Sequence, residues 1–240
     1  MLDDLFFELV NELDGISQTN SGDEFLANTG RRYGLSHVAY LGLNIPSEEP
    51  DKVHIISSYS DKWCRRYVSK NYVDIDPVIQ TGLQGILPVD WRTVRDQNKR
   101  VRQFFGEAGE FGIGKQGMSI PIRGAQGETA LFSVNSHVND NEWKELKKNH
   151  MRDFQVLAYH FHTKVMADEG IDVGTGTTLT PREKECIKWA AAGKTSWETG
   201  MILGISKSTV DFFVEGVRSK LQAVNKTQAV AQAIRMKLID

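Results

Sequence analysis

The stretch WETGMILGISKSTVDFFVEGV, Trp197 to Val217, decides how the last quarter of the 240-residue chain folds. Gly204-Ile205-Ser206 interrupts it, because glycine stops one helix and serine caps the next. Beyond the break, Val210, Phe213, Val214, Val217 and Leu221 recur at i, i+3, i+4, i+7 and i+11, the spacing of one apolar helical face. The opposite face carries Ser208, Asp211, Phe212, Glu215, Arg218, Ser219 and Gln222. Two short helices broken in this way fit a helix-turn-helix, whose second helix enters the DNA major groove. They fit equally a four-helix domain used for protein contact. Asp211 and Glu215 sharpen the question, since DNA is a polyanion.

Around this stretch, cap signals mark out the neighbouring helices. Thr180-Pro181-Arg182-Glu183 supplies an N-cap, a proline at the first helical position and a capping-box glutamate. Gly193 ends that helix, and Thr195 with Glu198 starts one that runs to Leu203. Ser206 caps a third. Asn225 caps a fourth, with apolar positions at Val230, Ile234 and Leu238. Residues 178–240 therefore read as an all-α four-helix domain. They carry a net charge of +4, against −6 for the remainder of the chain. That asymmetry fits a nucleic-acid module joined to something else, although many solvated surfaces carry as much charge.

Upstream, DEGIDVGTGTT (Asp168 to Thr178) is glycine-rich, and 168–177 reads as a linker. Residues 1–167 mix two kinds of signal. Helical spacing occupies 2–13, 23–34, a segment starting near Asp61, KRVRQFFGEAGEFG, and Asp140 to about Val165. Strand formers occupy His37–Asn44 and Lys52–Ser58. QGMSIPIRGAQGETALFSVNS reads as a hairpin turning at Gly124–Gly127. This order predicts an α+β fold: an α/β/α sandwich around an antiparallel sheet, followed by the helical domain. No apolar run is long enough to span a membrane, and the acidic N-terminus is unlike a secretory signal. Two distant cysteines suggest no disulfide framework, so a cytoplasmic protein is expected.

Catalytic signals are weak. GIGKQG (Gly112–Gly117) matches a dinucleotide-site pattern but lacks the strand-turn-helix setting. His160 and His162, two apart, fall on different sides of a helix, which argues against a shared metal. No nucleophile motif occurs, no receiver-type acidic cluster is evident, and Cys64 lies within an apolar helical pattern. These features argue against an enzyme, a metal site or a cofactor. What stands out is Tyr59, Trp63 and Tyr67 at four-residue spacing, then Asp76-Pro77, then Trp91. Such a set can be an aromatic core, or the wall of a small-ligand pocket with few fixed polar groups.

Two resemblances bear on these alternatives. Residues 179–238 resemble the C-terminal domain of LuxR-type transcription regulators at Leu179-Thr180, Arg182-Glu183, Ala192-Gly193, Glu198, Leu203, Ile205-Ser206, Thr209-Val210, Lys220-Leu221 and Asn225 through Ala231. The resemblance implies that Glu183, Ile187 and Gly193 pack helices. It also implies that Lys194, Lys207, Ser208, Thr209, Asp211, Phe212, Glu215, Arg218 and Lys220 face DNA, with the lysines and Arg218 on phosphates and Phe212 near a thymine methyl. Phe213 and Gly216 depart from the family's histidine and asparagine, and Gly200 from its usual alanine. A helical glycine costs about 1 kcal/mol relative to alanine.

Tyr59-x3-Trp63-x3-Tyr67-x8-Asp76-Pro77, with Trp91 and Gly117, is similar to the autoinducer-binding domain of quorum-sensing LuxR-type receptors. Those receptors bind N-acyl-homoserine lactones. By implication Trp63 donates to the lactone carbonyl, Asp76 accepts from the amide N–H, and Tyr59 bonds the amide carbonyl with Ser133 nearby. Tyr67, Trp91, Phe104, Phe105 and Ile113 would form apolar wall, and Gly117 would permit close backbone approach. The implied partners are double-stranded DNA at a roughly palindromic promoter site, the lactone, a second copy of the chain and RNA polymerase. The alternative is an anti-activator that heterodimerises with another LuxR-type protein and reads DNA poorly, as Asp211, Glu215 and Gly216 suggest.

Overall fold

In strand β1 (His37–Leu43) burial alternates residue by residue, and this alternation gives the sheet two different faces. The computed structural model describes residues 2–15, 22–45, 53–124, 127–171 and 178–239. β1 pairs with β2 (His54–Ser57) and with β5 (Thr129–Ser136), which pairs with β4 (Gln116–Arg123), which pairs with the short β3 (Val89–Asp90). Every pairing is antiparallel, and the sheet order is β2-β1-β5-β4-β3.

One face is covered by three helices: α1 (Leu2–Gly15), α2 (Gly22–Tyr33) and α6 (Asp140–Asp168). Phe161 of α6 is the centre of that layer, with ring centroids 5.3 Å from Tyr40, 5.8 Å from Phe25 and 6.2 Å from Phe132. The other face meets α3 (Asp61–Ser69), α4 (Pro77–Gln84) and α5 (Lys99–Glu110). Each of these starts at a polar cap: Ser60, Asp76 and Asn98 accept from the backbone N–H of Trp63, Val78 and Val101. The expected α/β/α sandwich is therefore present.

Some expectations need correction. α6 does not stop near Val165. Its capping box, formed by Asn139 and Glu142, starts a helix that continues to Asp168, so the expected linker begins inside the helix. The remaining linker residues 172–177 and the hairpin-turn residues 125–126 lie outside the described residues. The helix α4 and the strand β3 are additions; eight and two residues long, they carry little periodicity of their own.

The chain divides into two compact units, one built within residues 1–171 and the other within 172–240, the short turn 124–127 aside. The second unit consists of α7 (Pro181–Ala191), α8 (Ser196–Leu203), α9 (Lys207–Lys220) and α10 (Lys226–Arg235). Both expected capping boxes form, Ser206 and Asn225 cap α9 and α10, and Gly193 takes a positive φ after α7. The predicted apolar face of α9 is turned inward. On α10 the prediction fails in part. Ala229 and Ala233 are the fully buried positions, while Ile234 is 49 % exposed. Small side chains let α10 lie close to α7 and α9, which moves its core-facing stripe off the larger residues.

Candidate functional site

Between the sheet and α3–α5 lies a cavity of about 100 Å³. Tyr59, Trp63, Tyr67, Asp76, Trp91, Phe104, Phe105, Ile113 and Ser133 all line it, so nine of the ten residues singled out from the sequence meet in one place. The tenth, Gly117, acts from behind. A Cβ at that position would lie 2.1 Å from Trp91 Cε3, so glycine is what lets the indole lie flat against β4. The wall also includes Ala39, Leu41, Ile55, Cys64, Val78, Ile79, Ala108 and Leu131, which sequence reasoning missed. Strand alternation could have found Ala39, Leu41 and Leu131, since they lie one residue out of phase with Tyr40 and Phe132.

Aromatic rings enclose the α3 side. Trp63 sits with ring centroids 5.9 Å from Tyr67, 5.9 Å from Tyr72 and 5.4 Å from Phe111. Its indole N–H makes no hydrogen bond among the described residues. Asp76 is the one carboxylate on the cavity wall. Its Oδ1 accepts from Val78 N and its Oδ2 from the Tyr67 hydroxyl, each at 2.9 Å. Burial pushes the Asp76 pKa up to about 6, against the lowering effect of those two bonds and of the Ile79 N–H. Burial and the nearby Asp76 charge also raise Tyr67, so its phenol stays protonated. On the sheet side, Trp91 Nε1 donates to Ser119 Oγ at 3.0 Å, and Ser119 Oγ lies 2.6 Å from Ser133 Oγ.

The remaining motifs are structural. Within GIGKQG, Gly112 turns the chain at φ +87° and Gly117 is already inside β4, so no helix follows the glycines. His162 is buried beside the Tyr40 hydroxyl at 2.7 Å, while His160 is half-buried on another side of α6. No group that could hold a metal occurs among the described residues.

In the second unit, α8, the left-handed Gly204 and α9 form the helix-turn-helix. A Cβ on Gly200 would lie 2.7 Å from the Ile205 carbonyl oxygen, so this glycine keeps the turn tight. Lys207, Ser208, Asp211, Phe212 and Glu215 are exposed on α9, Phe212 at 72 %. Thr209 and Arg218 are half-buried. Asp211 pairs with Lys207 at 3.0 Å, and Glu215 accepts from Arg218 Nε at 2.8 Å. Both carboxylates are held below their usual range, Asp211 by the Ser196 hydroxyl and Lys207, Glu215 by Arg218. Lys194 stands 3.8 Å from Glu198. Lys220 reaches inward to Glu183 at 2.7 Å, beneath the capping box of α7. Glu183 and Ile187 are buried, in keeping with a packing role.

A cavity-bearing α/β/α unit joined to a helix-turn-helix unit is the architecture of a ligand-responsive transcription regulator. Residues 23–165 match the family model described as autoinducer binding domain, and residues 177–233 match that of bacterial regulatory proteins, luxR family. The chain belongs to the LuxR family of bacterial transcription regulators, in the group that carries an autoinducer-binding domain. The members are regulators, not enzymes.

The chain is 35 % identical over 175 residues to the transcriptional activator RaiR of Rhizobium etli, covering 72 % of each. It is 30 % identical to the regulator y4qH of Sinorhizobium fredii, covering 97 % of this chain and 72 % of that one. Its fold matches Escherichia coli SdiA with a TM-score of 0.70 at 20 % identity over the whole of both chains. It also matches CepR2 of Burkholderia cenocepacia, an N-acylhomoserine-lactone-dependent factor, with a TM-score of 0.57 at 17 % identity over 71 % of this chain and 98 % of that one. No described helix is long and apolar enough to cross a membrane.

Proposed function

We propose that the chain is a quorum-sensing receptor that binds an N-acyl-homoserine lactone in the α/β/α cavity. As a dimer it would control transcription from a roughly palindromic site. The observation that carries this reading is Asp76: a half-buried carboxylate with acceptor capacity left over, set in an aromatic cavity. A secondary amide N–H is the neutral donor that such a group needs, and leaving it unmatched is costly. Trp63 supplies a free donor for the lactone carbonyl and Tyr59 one for the amide carbonyl. Tyr67, Trp91, Phe104, Phe105 and Ile113 supply apolar wall.

Dimerisation through α6 is favoured by Val156 and Tyr159, which are 41 % and 51 % exposed on an otherwise polar outer face. Two helix-turn-helix units would then address two half-sites of double-stranded DNA. Lys194, between α7 and α8, and Lys207 and Arg218 of α9 are the phosphate candidates. Asp211 and Glu215 are candidates for cytosine N4, and Phe212 for a thymine methyl.

Lactone binding to the folded state alone stabilises it by about 3 kcal/mol at a hundredfold excess over Kd. Thermal melting of the purified protein with a panel of acyl-homoserine lactones tests the reading. A rise in melting temperature is expected with at least one, and its absence with all of them would refute the sensor role.

A further inference from the structure

A chain of hydrogen bonds behind the cavity wall fixes the direction of one hydroxyl. The buried backbone N–H of Gly114 donates to Asn135 Oδ1 at 2.8 Å, and Asn135 Nδ2 donates to the Tyr59 hydroxyl oxygen at 3.2 Å. A backbone N–H can only donate, so Gly114 settles which end of the Asn135 amide is oxygen and which is nitrogen. The close approach depends on glycine, because a Cβ at Gly114 would lie 2.5 Å from the Ser136 carbonyl oxygen. Asn135 is itself fully buried, which leaves it no competing water.

We propose that Asn135 is a positioning residue that makes Tyr59 an obligate hydrogen-bond donor toward the cavity, so that the wall beside it selects a carbonyl-type oxygen on the ligand. The phenol oxygen of Tyr59 accepts from Asn135, and its proton then has only the cavity to point into. Burial raises the Tyr59 pKa, so that proton is retained at all physiological pH values. The neighbouring tyrosine is in the opposite situation, since the Tyr67 proton is already given to Asp76. The Ser119–Ser133 pair has no fixed sense either, because each serine hydroxyl can donate to the other. Tyr59 is thus the wall hydroxyl whose role the fold determines in advance. A ligand presenting a donor or a methylene at this point would cover the O–H and leave it unmatched. The assignment rests on the acyl-lactone reading for the identity of the ligand, and on the Gly114–Asn135–Tyr59 geometry for the direction of the bond.

The test is a double-mutant cycle with N-octanoyl-homoserine lactone as probe, read by isothermal titration on the full chain. Asn135→Ala is expected to weaken binding about fivefold, the worth of one hydrogen bond. In a Tyr59→Phe background the same change is expected to cost less than about twofold. Equal losses in both backgrounds would overturn the proposal, because a merely structural role for Asn135 acts independently of the Tyr59 hydroxyl. Asn135→Asp keeps an acceptor for Gly114 but reverses the second bond, because the carboxylate takes the Tyr59 proton that otherwise points into the cavity; it is expected to weaken binding at least as much as alanine and serves if that variant fails to fold. A ligand-free readout separates this proposal from the choice of ligand. The tyrosine Raman doublet, assigned to Tyr59 by difference against Tyr59→Phe, is expected to lose its acceptor character in Asn135→Asp. An unchanged doublet would overturn the proposal even where the lactone binds. If the wild-type chain binds no lactone, the ligand reading falls, and the doublet alone upholds or overturns the orientation of Tyr59.

Discussion

The Tyr67 hydroxyl donates to Asp76 Oδ2 at 2.9 Å, while Asp76 Oδ1 caps helix α4 by accepting from Val78 N. One carboxylate therefore closes an aromatic wall, starts a helix and faces the cavity. Burial nevertheless outweighs these bonds and lifts its pKa to about 6. A carboxyl whose folded pKa lies above its unfolded value binds more protons when folded. Its contribution to stability is then most favourable at low pH and is lost as pH rises through about 6. At pH 7.5 the ligand-free protein carries a penalty on the order of 3 kcal/mol from this group. Asp76→Asn is expected to raise the melting temperature of the ligand-free protein at that pH while weakening lactone binding.

If the chain binds a lactone as proposed, ligand affinity is expected to have the opposite pH dependence. Protonated Asp76 no longer presents a charged acceptor to the amide N–H, so affinity is expected to fall as pH drops below about 6. Isothermal titration between pH 5 and 8 checks this. In Asp76→Asn the slope is expected to vanish.

Gly117→Ala is expected to destabilise the N-terminal unit by about 1–3 kcal/mol, as overpacking does. The new Cβ would sit 2.1 Å from the Trp91 ring, and moving the ring breaks its bond to Ser119. Urea unfolding measures the loss, and a shift in tryptophan emission reports the displaced indole.

On α9 the acidic residues restrain the basic ones. Lys207 is paired with Asp211 and Arg218 with Glu215. Removing the carboxylates in Asp211→Asn with Glu215→Gln frees both cations for phosphate. Non-specific DNA affinity is expected to rise, and the slope of log affinity against log salt to steepen by about one for each cation released. An unchanged slope would mean that neither cation reaches DNA.

Lys220 behaves differently from the other basic candidates. Burial acts to raise the Glu183 pKa, but Lys220 and Thr180 outweigh it and hold the carboxylate below its ordinary value. Lys220→Ala is expected to cost the helical unit about 1 kcal/mol in thermal unfolding. A pure phosphate contact would leave stability unchanged.

What could be read from the sequence was local. The caps at Thr180, Thr195, Ser206 and Asn225 are signals four residues long, and all four form. The aromatic spacing from Tyr59 to Tyr67 placed two rings on one turn of α3, and the resemblance supplied the residues that complete the wall. The missing parts depend on contacts between distant segments. Gly114 meets Asn135, Trp91 meets Ser119, and Lys220 meets Glu183, each across at least twenty residues of chain. None of these pairs leaves a periodic trace. The inward turn of Ala229 and Ala233 was missed for a related reason: side-chain size favoured Ile234, and only the closeness of α7 and α9 selects alanine.

The most direct test of the central claim is native mass spectrometry of the chain purified from cells supplied with mixed N-acyl-homoserine lactones. One lactone per chain, released intact on denaturation and at reduced occupancy in Asp76→Asn, is the predicted result. A chain that retains no lactone, or returns it ring-opened or deacylated, would contradict the account.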